Sequence, residues 1–254
     1  MSEKLFYKDA YIKEFDAECI SCRKEGEYFA AVLDKTAFFP EGGGQTGDTG
    51  ALNGVKVTDT QEINGEILHI LEREIPLGAV HGVLNWDKRF AKMQNHTAEH
   101  IVSGTVNKRF GLDNVGFHLG ENEVILDFDQ ELTAEQLEQL ETLANQIVAE
   151  NRPITAEYPD PEVLKTLDYR SKLDLTENVR IVTVEHCDVC ACCAPHVSRT
   201  GEIGVIKLLD AMRHRGGIRI WMAAGSMALE DYRVKQKNVA AISAALSVKQ
   251  PEAA

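Results

Sequence analysis

Over residues 1–88 the apolar positions come in short runs broken by turn residues, and none keeps a helical period for long. Tyr28–Leu33, Val55–Gln61 and Glu66–Leu71 predict strands, with Asn64-Gly65 as a hairpin turn between the last two. Many short strands of this kind predict a small β-barrel or sandwich. Near Trp86 the period changes. From Arg89 to Phe110, the residues Phe90, Met93, Ile101, Val102, Thr105 and Val106 form the apolar side of an amphipathic helix. A strand is expected over Glu123–Phe128. Thr133 then opens a second helix, with Gln136 as its capping-box partner, a stripe of Leu137, Leu140, Leu143 and Ile147, and a stop at Pro153. Further strands are expected near Ile154–Tyr158, Arg180–Glu185, Gly204–Leu209 and Ile218–Ala223. A last long helix starts near Ser226, carries Leu229, Tyr232, Val239, Ile242 and Leu246, and ends by Pro251. The expected class is α+β. A barrel-like domain (1–88) with a glycine-rich loop precedes an α+β domain (89–254) that holds the reactive residues.

Composition narrows this frame. The 254 residues are 44% hydrophobic and 26% charged, as in an ordinary globular protein. No run of eighteen apolar residues exists, and the first residues lack the basic-then-apolar order of a secretory signal, so the expected location is the cytoplasm with no membrane contact. The net charge of −13 excludes a broad basic surface. Phosphate contacts are left to local patches: Lys88 with Arg89, Lys108 with Arg109, and Arg213, His214, Arg215 and Arg219. Cys187, Cys190, Cys192 and Cys193 crowd into seven residues, which in a reducing compartment points to metal or catalysis rather than disulfides.

The chemistry concentrates in two pairs. His96 and His100 stand four apart, which on a helix puts both imidazoles on one face, one turn apart. Cys192 and His196 repeat the spacing, but Pro195 disfavours a regular helix, so a loop beside a strand is expected there. Imidazoles with a thiolate suit zinc. Each pair alone is a short motif, and the cysteines by themselves also fit a structural zinc knot of Cys187, Cys190, Cys192 and Cys193. A third feature is Phe38-Phe-Pro-Glu-Gly42-Gly43-Gly44-Gln45, followed by Gly47, Asp48 and Gly50. Its glycines allow close backbone approach and positive φ, and Gln45 offers a donor and an acceptor. No Gly-Lys-Ser/Thr follows, so it is not a nucleotide phosphate loop.

The string Thr36-Ala-Phe-Phe-Pro-Glu-Gly-Gly-Gly-Gln45 resembles the glycine motif of the AlaX family, freestanding relatives of the alanyl-tRNA synthetase editing domain. Trp86-Asp-Lys-Arg-Phe, Met93 and His96-Thr-Ala-Glu-His100-Ile resemble its first zinc motif. Cys192-Cys-Ala-Pro-His196-Val with Thr200-Gly-Glu-Ile-Gly204 resembles its second, and Arg215-Gly-Gly-Ile-Arg-Ile220 with Gly225 its closing strand. The resemblance runs from about Asp34 to Tyr232. It implies zinc held by His96, His100, Cys192 and His196. It also implies a hydrolase that removes serine, or glycine, from the acceptor end of the tRNA for alanine. One departure stands out: Cys193-Ala194-Pro195 replaces the synthetases' Gly-Gly-Thr, so either Cys192 or Cys193 could be the thiolate ligand, the spacing favouring Cys192. Gly116-Phe-His118-Leu-Gly120 occupies the place of a glutamine-containing stretch, which makes His118 a substrate-binding candidate.

Hydrolysis of an aminoacyl ester needs an activated water and a stabilised oxyanion, and zinc can serve both needs. Four protein ligands would close a tetrahedral site. Either one of them, such as His196, binds loosely, or zinc becomes five-coordinate, or it only positions substrate. Serine must also be told from alanine by a polar group that reads its hydroxyl. Thr36 and Gln45 are the candidates, with Gly42, Gly43 and Gly44 folding over the site. Arg213, Arg215 and Arg219 are the candidate tRNA contacts. Two other readings remain: a non-catalytic zinc-containing tRNA-binding module, and a zinc peptidase of the H-x-x-E-H type with Glu99 as base. The chain leaves no room for an ATP-using aminoacylation core, so no ATP is expected.

Overall fold

The computed structural model describes residues 2–121, 123–171 and 179–253. Six N-terminal strands form a closed barrel in the order Glu14–Glu25, Tyr28–Leu33, Glu66–Leu71, Val55–Ile63, Gly50–Leu52 and Gly78–Leu84, the last pairing back with the first. The pleat sends Phe15, Ala17 and Cys19, then Val55 and Val57, into one core with Leu33, Leu52, Leu71 and Phe38. The Asn64-Gly65 turn has positive φ at both residues (52° and 80°), the backbone that a two-residue hairpin turn demands.

After the barrel the chain enters a 25-residue helix, Trp86–Phe110, three residues before the periodicity suggested. Asn85 caps it by accepting from the Lys88 amide, and Gly111 ends it with φ of 72°. A four-stranded antiparallel sheet flanks it, in the order Ile206–His214, Gly217–Ala224, Val124–Phe128, Asn114–Leu119. Met93, Ile101, Val102 and Val106 of the helix bury against Leu119, Leu126, Ile220 and Met222 of the sheet. The second helix, Ala134–Ala149, carries the Thr133–Gln136 capping box; Leu140, Ala144 and Val148 are its buried stripe, while Leu137, Leu143 and Ile147 are half-buried. A three-stranded sheet, Ile154–Glu157, Ile181–Val184 and Asp188–Ala191, lies beside the long helix.

The helix Gly225–Leu246 buries only Ala228. Its apolar residues Leu229, Tyr232, Val239, Ile242 and Leu246 are exposed. No described helix is long and apolar enough to cross a membrane.

Candidate metal and ester-binding site

One face of the long helix carries Arg89, Lys92, His96 and His100, at the three- and four-residue spacing that aligns side chains. The segment 44–48 runs back along this face in the opposite direction. Asp48 pairs with Arg89 (Nε to Oδ2, 2.7 Å), and Lys92 donates to the carbonyls of Thr46 (3.0 Å) and Gly47 (2.5 Å). Gln45 Oε1 meets His96 Nδ1 at 3.0 Å. The loop is also stitched to the sheet, with Leu119 N–H donating to Gly44 O at 2.7 Å. Gly44 has φ of 80°, and a Cβ there would stand 2.7 Å from Phe117 O, so no larger residue fits between loop and strand.

Cys192 and His196 lie in the loop directly after the strand Asp188–Ala191. The loop brings them to the helix, and the ligand atoms of His96, His100, Cys192 and His196 all fall within 4.8 Å of one another. Cys192 Sγ is 3.5 Å from His96 Nε2 and 3.3 Å from His196 Nε2. Cys193 is outside this set and faces Gly43 instead. Among the described residues the four clustered cysteines form no metal set of their own, so the zinc-knot alternative is not what the fold builds.

Each imidazole is held from behind. Thr97 Oγ1 donates to Met93 O (2.7 Å), so the His196 Nδ1–H must donate to Thr97 (3.0 Å), which leaves Nε2 with a lone pair toward Cys192. Gln45 fixes His96 in the same tautomer when its oxygen accepts from Nδ1. His100 Nδ1 stands 3.0 Å from Asp188 Oδ2, an ion-pair contact rather than a well-aligned hydrogen bond. Asp188 reaches it because Gly104 has no side chain: a Cβ there would meet Asp188 Cβ at 2.7 Å. Arg170 grips the same carboxylate with two bonds of 2.7 and 2.8 Å.

The electrostatics follow from these contacts. Burial pushes the Cys192 thiol up, but His96 and His196 overcome it and hold the thiol well below its usual range. Burial lowers His196 to about 3, against the pull of Cys192, so it is a neutral donor. Burial opposes charge on His100, yet Asp188 and Cys192 raise it well above the ordinary value. Burial raises the Asp188 carboxyl, but His100 and Arg170 bring it down to about 2. Cys193 goes the other way, up to about 11 through burial and the neighbouring Cys192. A thiolate and three imidazoles, each backed by a hydrogen-bonding or charged partner, fit a zinc ion.

The cluster opens on a cavity of about 590 Å³. Gly43, Gly44, Glu99, Phe117, Arg180 and the ring pair Tyr7 and Tyr158 are among its walls. Its size is within the roughly 300–1,000 Å³ of small-molecule sites.

Several sequence candidates lie elsewhere. Thr36 is fully buried in a closed chain of hydrogen bonds: Phe38 N–H donates to its Oγ1 (3.1 Å), the hydroxyl meets His69 Nε2 (2.8 Å), and His69 Nδ1 meets Ala31 O (3.0 Å). Burial lowers His69 to about 4, so the ring is neutral and accepts the hydroxyl proton. Thr36 therefore has no hydrogen left for a ligand. Replacing Thr36 with Val should strip partners from His69 and Phe38 and cost about 1–3 kcal/mol of stability. Denaturant unfolding should show that loss while the serine-to-alanine cleavage ratio is unchanged; a collapsed ratio in a stably folded variant would return Thr36 to the site. Gln45 is the remaining candidate, since its Nε2 is buried with no partner.

His118 is exposed, whereas its strand neighbour Phe117 packs its ring 4.8 Å from His96. Alternation along the strand is the reason: adjacent residues face opposite sides of the sheet. Arg213, Arg215 and Arg219 do not line the cavity. Arg213 pairs with Glu131 (2.8 Å), Arg215 sits in a hairpin turn at φ of 49°, and Arg219 binds Asp127 through two bonds of 2.7 Å. Arg89, a member of one proposed basic patch, is buried. Asp188, Arg180, Tyr7 and Tyr158 were not singled out by the sequence, because their places depend on contacts across the chain that no local spacing reports.

Comparison with known proteins agrees with the site. Residues 3–86 match the family model described as tRNA synthetases class II (A), and residues 179–221 match that of the Threonyl and Alanyl tRNA synthetase second additional domain. The chain is 37% identical over 219 residues to Alanyl-tRNA editing protein AlaX-L of Pyrococcus horikoshii, covering 82% of this chain and 54% of that protein. It is 33% identical over 245 residues to the Alanine–tRNA ligase of Ignicoccus hospitalis, covering 91% of this chain and 27% of the ligase. Against the Alanine–tRNA ligase of Halobacterium salinarum it is 36% identical over 270 residues, 99% of this chain and 29% of the ligase. The chain thus spans about half the length of the editing protein and less than a third of either ligase. With the glycine loop and both halves of the His/Cys cluster in place, the chain is similar to the AlaX-L editing protein and to part of the alanine–tRNA ligases.

Proposed function

We propose that this protein is a zinc-dependent hydrolase that removes a wrongly attached amino acid, serine or glycine, from the tRNA for alanine. The observation that carries the reading is the convergence of His96, His100, Cys192 and His196 into one cluster, the first three of them on the wall of one cavity and each imidazole backed by Gln45, Asp188 or Thr97.

Zinc held by these residues would polarise the ester carbonyl and offset charge that develops on its oxygen. The protein's own groups do the rest. The loop Gly43-Gly44 forms one wall of the cavity. Gln45 fixes the His96 ring through its oxygen; it does not line the cavity, but its Nε2–H₂, buried behind the wall with no partner, is the donor proposed for a substrate hydroxyl. A buried donor that serine satisfies and alanine leaves unpaired is the kind of group that discriminates strongly. Glu99 is locked, its Oε1 accepting from Ser103 (2.7 Å) and Asn114 (2.9 Å). That restraint favours a structural role for Glu99 over the free general base a peptidase needs. The acceptor end of the tRNA is proposed to meet the cavity wall where Arg180 supplies positive charge, rather than the paired Arg213 and Arg219.

Incubation with seryl-tRNA for alanine and with casein separates the readings. Release of serine with no cleavage of casein is expected. Binding of tRNA without release would favour a non-catalytic module, and casein cleavage would favour a peptidase.

A further inference from the structure

The cavity has two chemically distinct parts. One is the His/Cys cluster. The other is a ring pair with a cation: Tyr7 from the short helix Leu5–Lys8, Tyr158 just after the strand Ile154–Glu157, and Arg180 just before the strand Ile181–Val184. Tyr7 and Tyr158 meet edge to face, their centroids 6.2 Å apart at 79°. The Arg180 guanidinium lies 5.3 Å from the Tyr7 ring centre. Tyr7 is hemmed in further by Phe6 at 4.6 Å. Tyr158 is 53% exposed and is the open member of the set.

Arg180 also ties this part to the cluster. Its Nη1 donates to Cys192 O (3.0 Å) and Ala194 O (2.9 Å), so the cation is fixed to the same loop that presents the Cys192 sulfur. In a chain of net charge −13, a buried arginine on a ligand cavity is a specific feature rather than part of a basic surface. A flat, rigid, half-open aromatic beside a fixed cation is the equipment that single-stranded nucleic-acid sites use for a base and its backbone.

We propose that Tyr158, packed edge to face on Tyr7 with Arg180 over the Tyr7 ring, is a stacking subsite for the terminal base of the nucleotide that carries the ester. The inference rests on the deacylase reading of the cluster and deepens it. The cluster takes the acyl side and the tyrosine takes the nucleoside side, so a single cavity spans both ends of the scissile ester. Tyr7 is a positioning residue, because it acts through Tyr158, and Arg180 is the cation beside the stack.

The test uses adenosine 5′-monophosphate as the probe, together with seryl-tRNA and serine methyl ester as substrates. Tyr158→Ala should weaken binding of the monophosphate about tenfold, within the range for base–aromatic stacking. KM for seryl-tRNA should rise by a similar factor, and preference for seryl-tRNA over the base-free methyl ester should fall with it. Tyr158→Phe should restore all three, because the ring and not the hydroxyl carries the stack. Equal monophosphate binding and equal KM in parent and Tyr158→Ala would overturn the subsite. If the parent binds the monophosphate through Tyr158 but releases no serine from tRNA, the subsite stands and the deacylase reading fails.

Discussion

Replacing His96 with alanine is expected to remove bound zinc and to lower seryl-tRNA cleavage by more than about a hundredfold, since loss of outer partners alone costs about 10–100-fold. His96 is the ligand that joins the two halves of the site: its Nε2 faces the Cys192 sulfur and its Nδ1 is held by Gln45 on the glycine loop. Without the ring, Cys192 loses the neighbour that does most to hold its thiol low, so the site loses a donor and weakens the ionisation of another. Cys192→Ala should match it. Cys193→Ser should be mild, because Cys193 packs against Gly43 and its thiol stays protonated. Zinc content by atomic absorption and serine release check the set together. Full zinc in His96→Ala would mean that the cluster is not the metal site.

Arg89→Met should be the most destabilising surface-distant change, at about 3–5 kcal/mol, the cost of leaving one partner of a buried ion pair alone. Arg89 and Asp48 are both almost fully buried. Besides Asp48, the guanidinium bonds the carbonyls of Ala10 (3.0 Å) and Ala37. Asp48 in turn accepts from Phe39 N–H at 2.8 Å, which fixes the start of the glycine loop. The pair therefore holds three segments of the barrel region against the first turns of the long helix. A thermal midpoint lower by roughly 10 °C should follow. Activity of the folded remainder should also drop, since the loop that carries Gln45 loses its tether. An unchanged midpoint would show that the pair contributes nothing net.

The parts of the fold that could be read from the sequence are those set by local chemistry. The Thr133–Gln136 capping box, the Asn64-Gly65 turn and the period of the long helix depend on neighbours within a few residues, and all three are present. The strand Glu14–Glu25 was missed although Phe15, Ala17 and Cys19 alternate with acidic residues at its start; its second half is largely polar, and its pairing partners at Tyr28–Leu33 and Gly78–Leu84 define it there. The strands Asn114–Leu119 and Asp188–Ala191 were missed for the same reason.

At the site, the His96/His100 spacing and the Cys192/His196 spacing were both legible. What they meet was not. Asp188 finds His100 only because Gly104 lets two elements approach, and that closeness belongs to tertiary packing. Thr36 shows the opposite failure. Its place in the glycine motif suggested a substrate contact, but His69, far along the chain, takes its hydroxyl.

The most direct test of the central claim is zinc titration into chelator-stripped protein, with initial rates of serine release from seryl-tRNA for alanine recorded at each addition. The account predicts negligible release without metal, a linear rise, and a plateau at one zinc per chain. Full activity in the stripped protein, or a zinc-loaded protein that releases no serine, would contradict it.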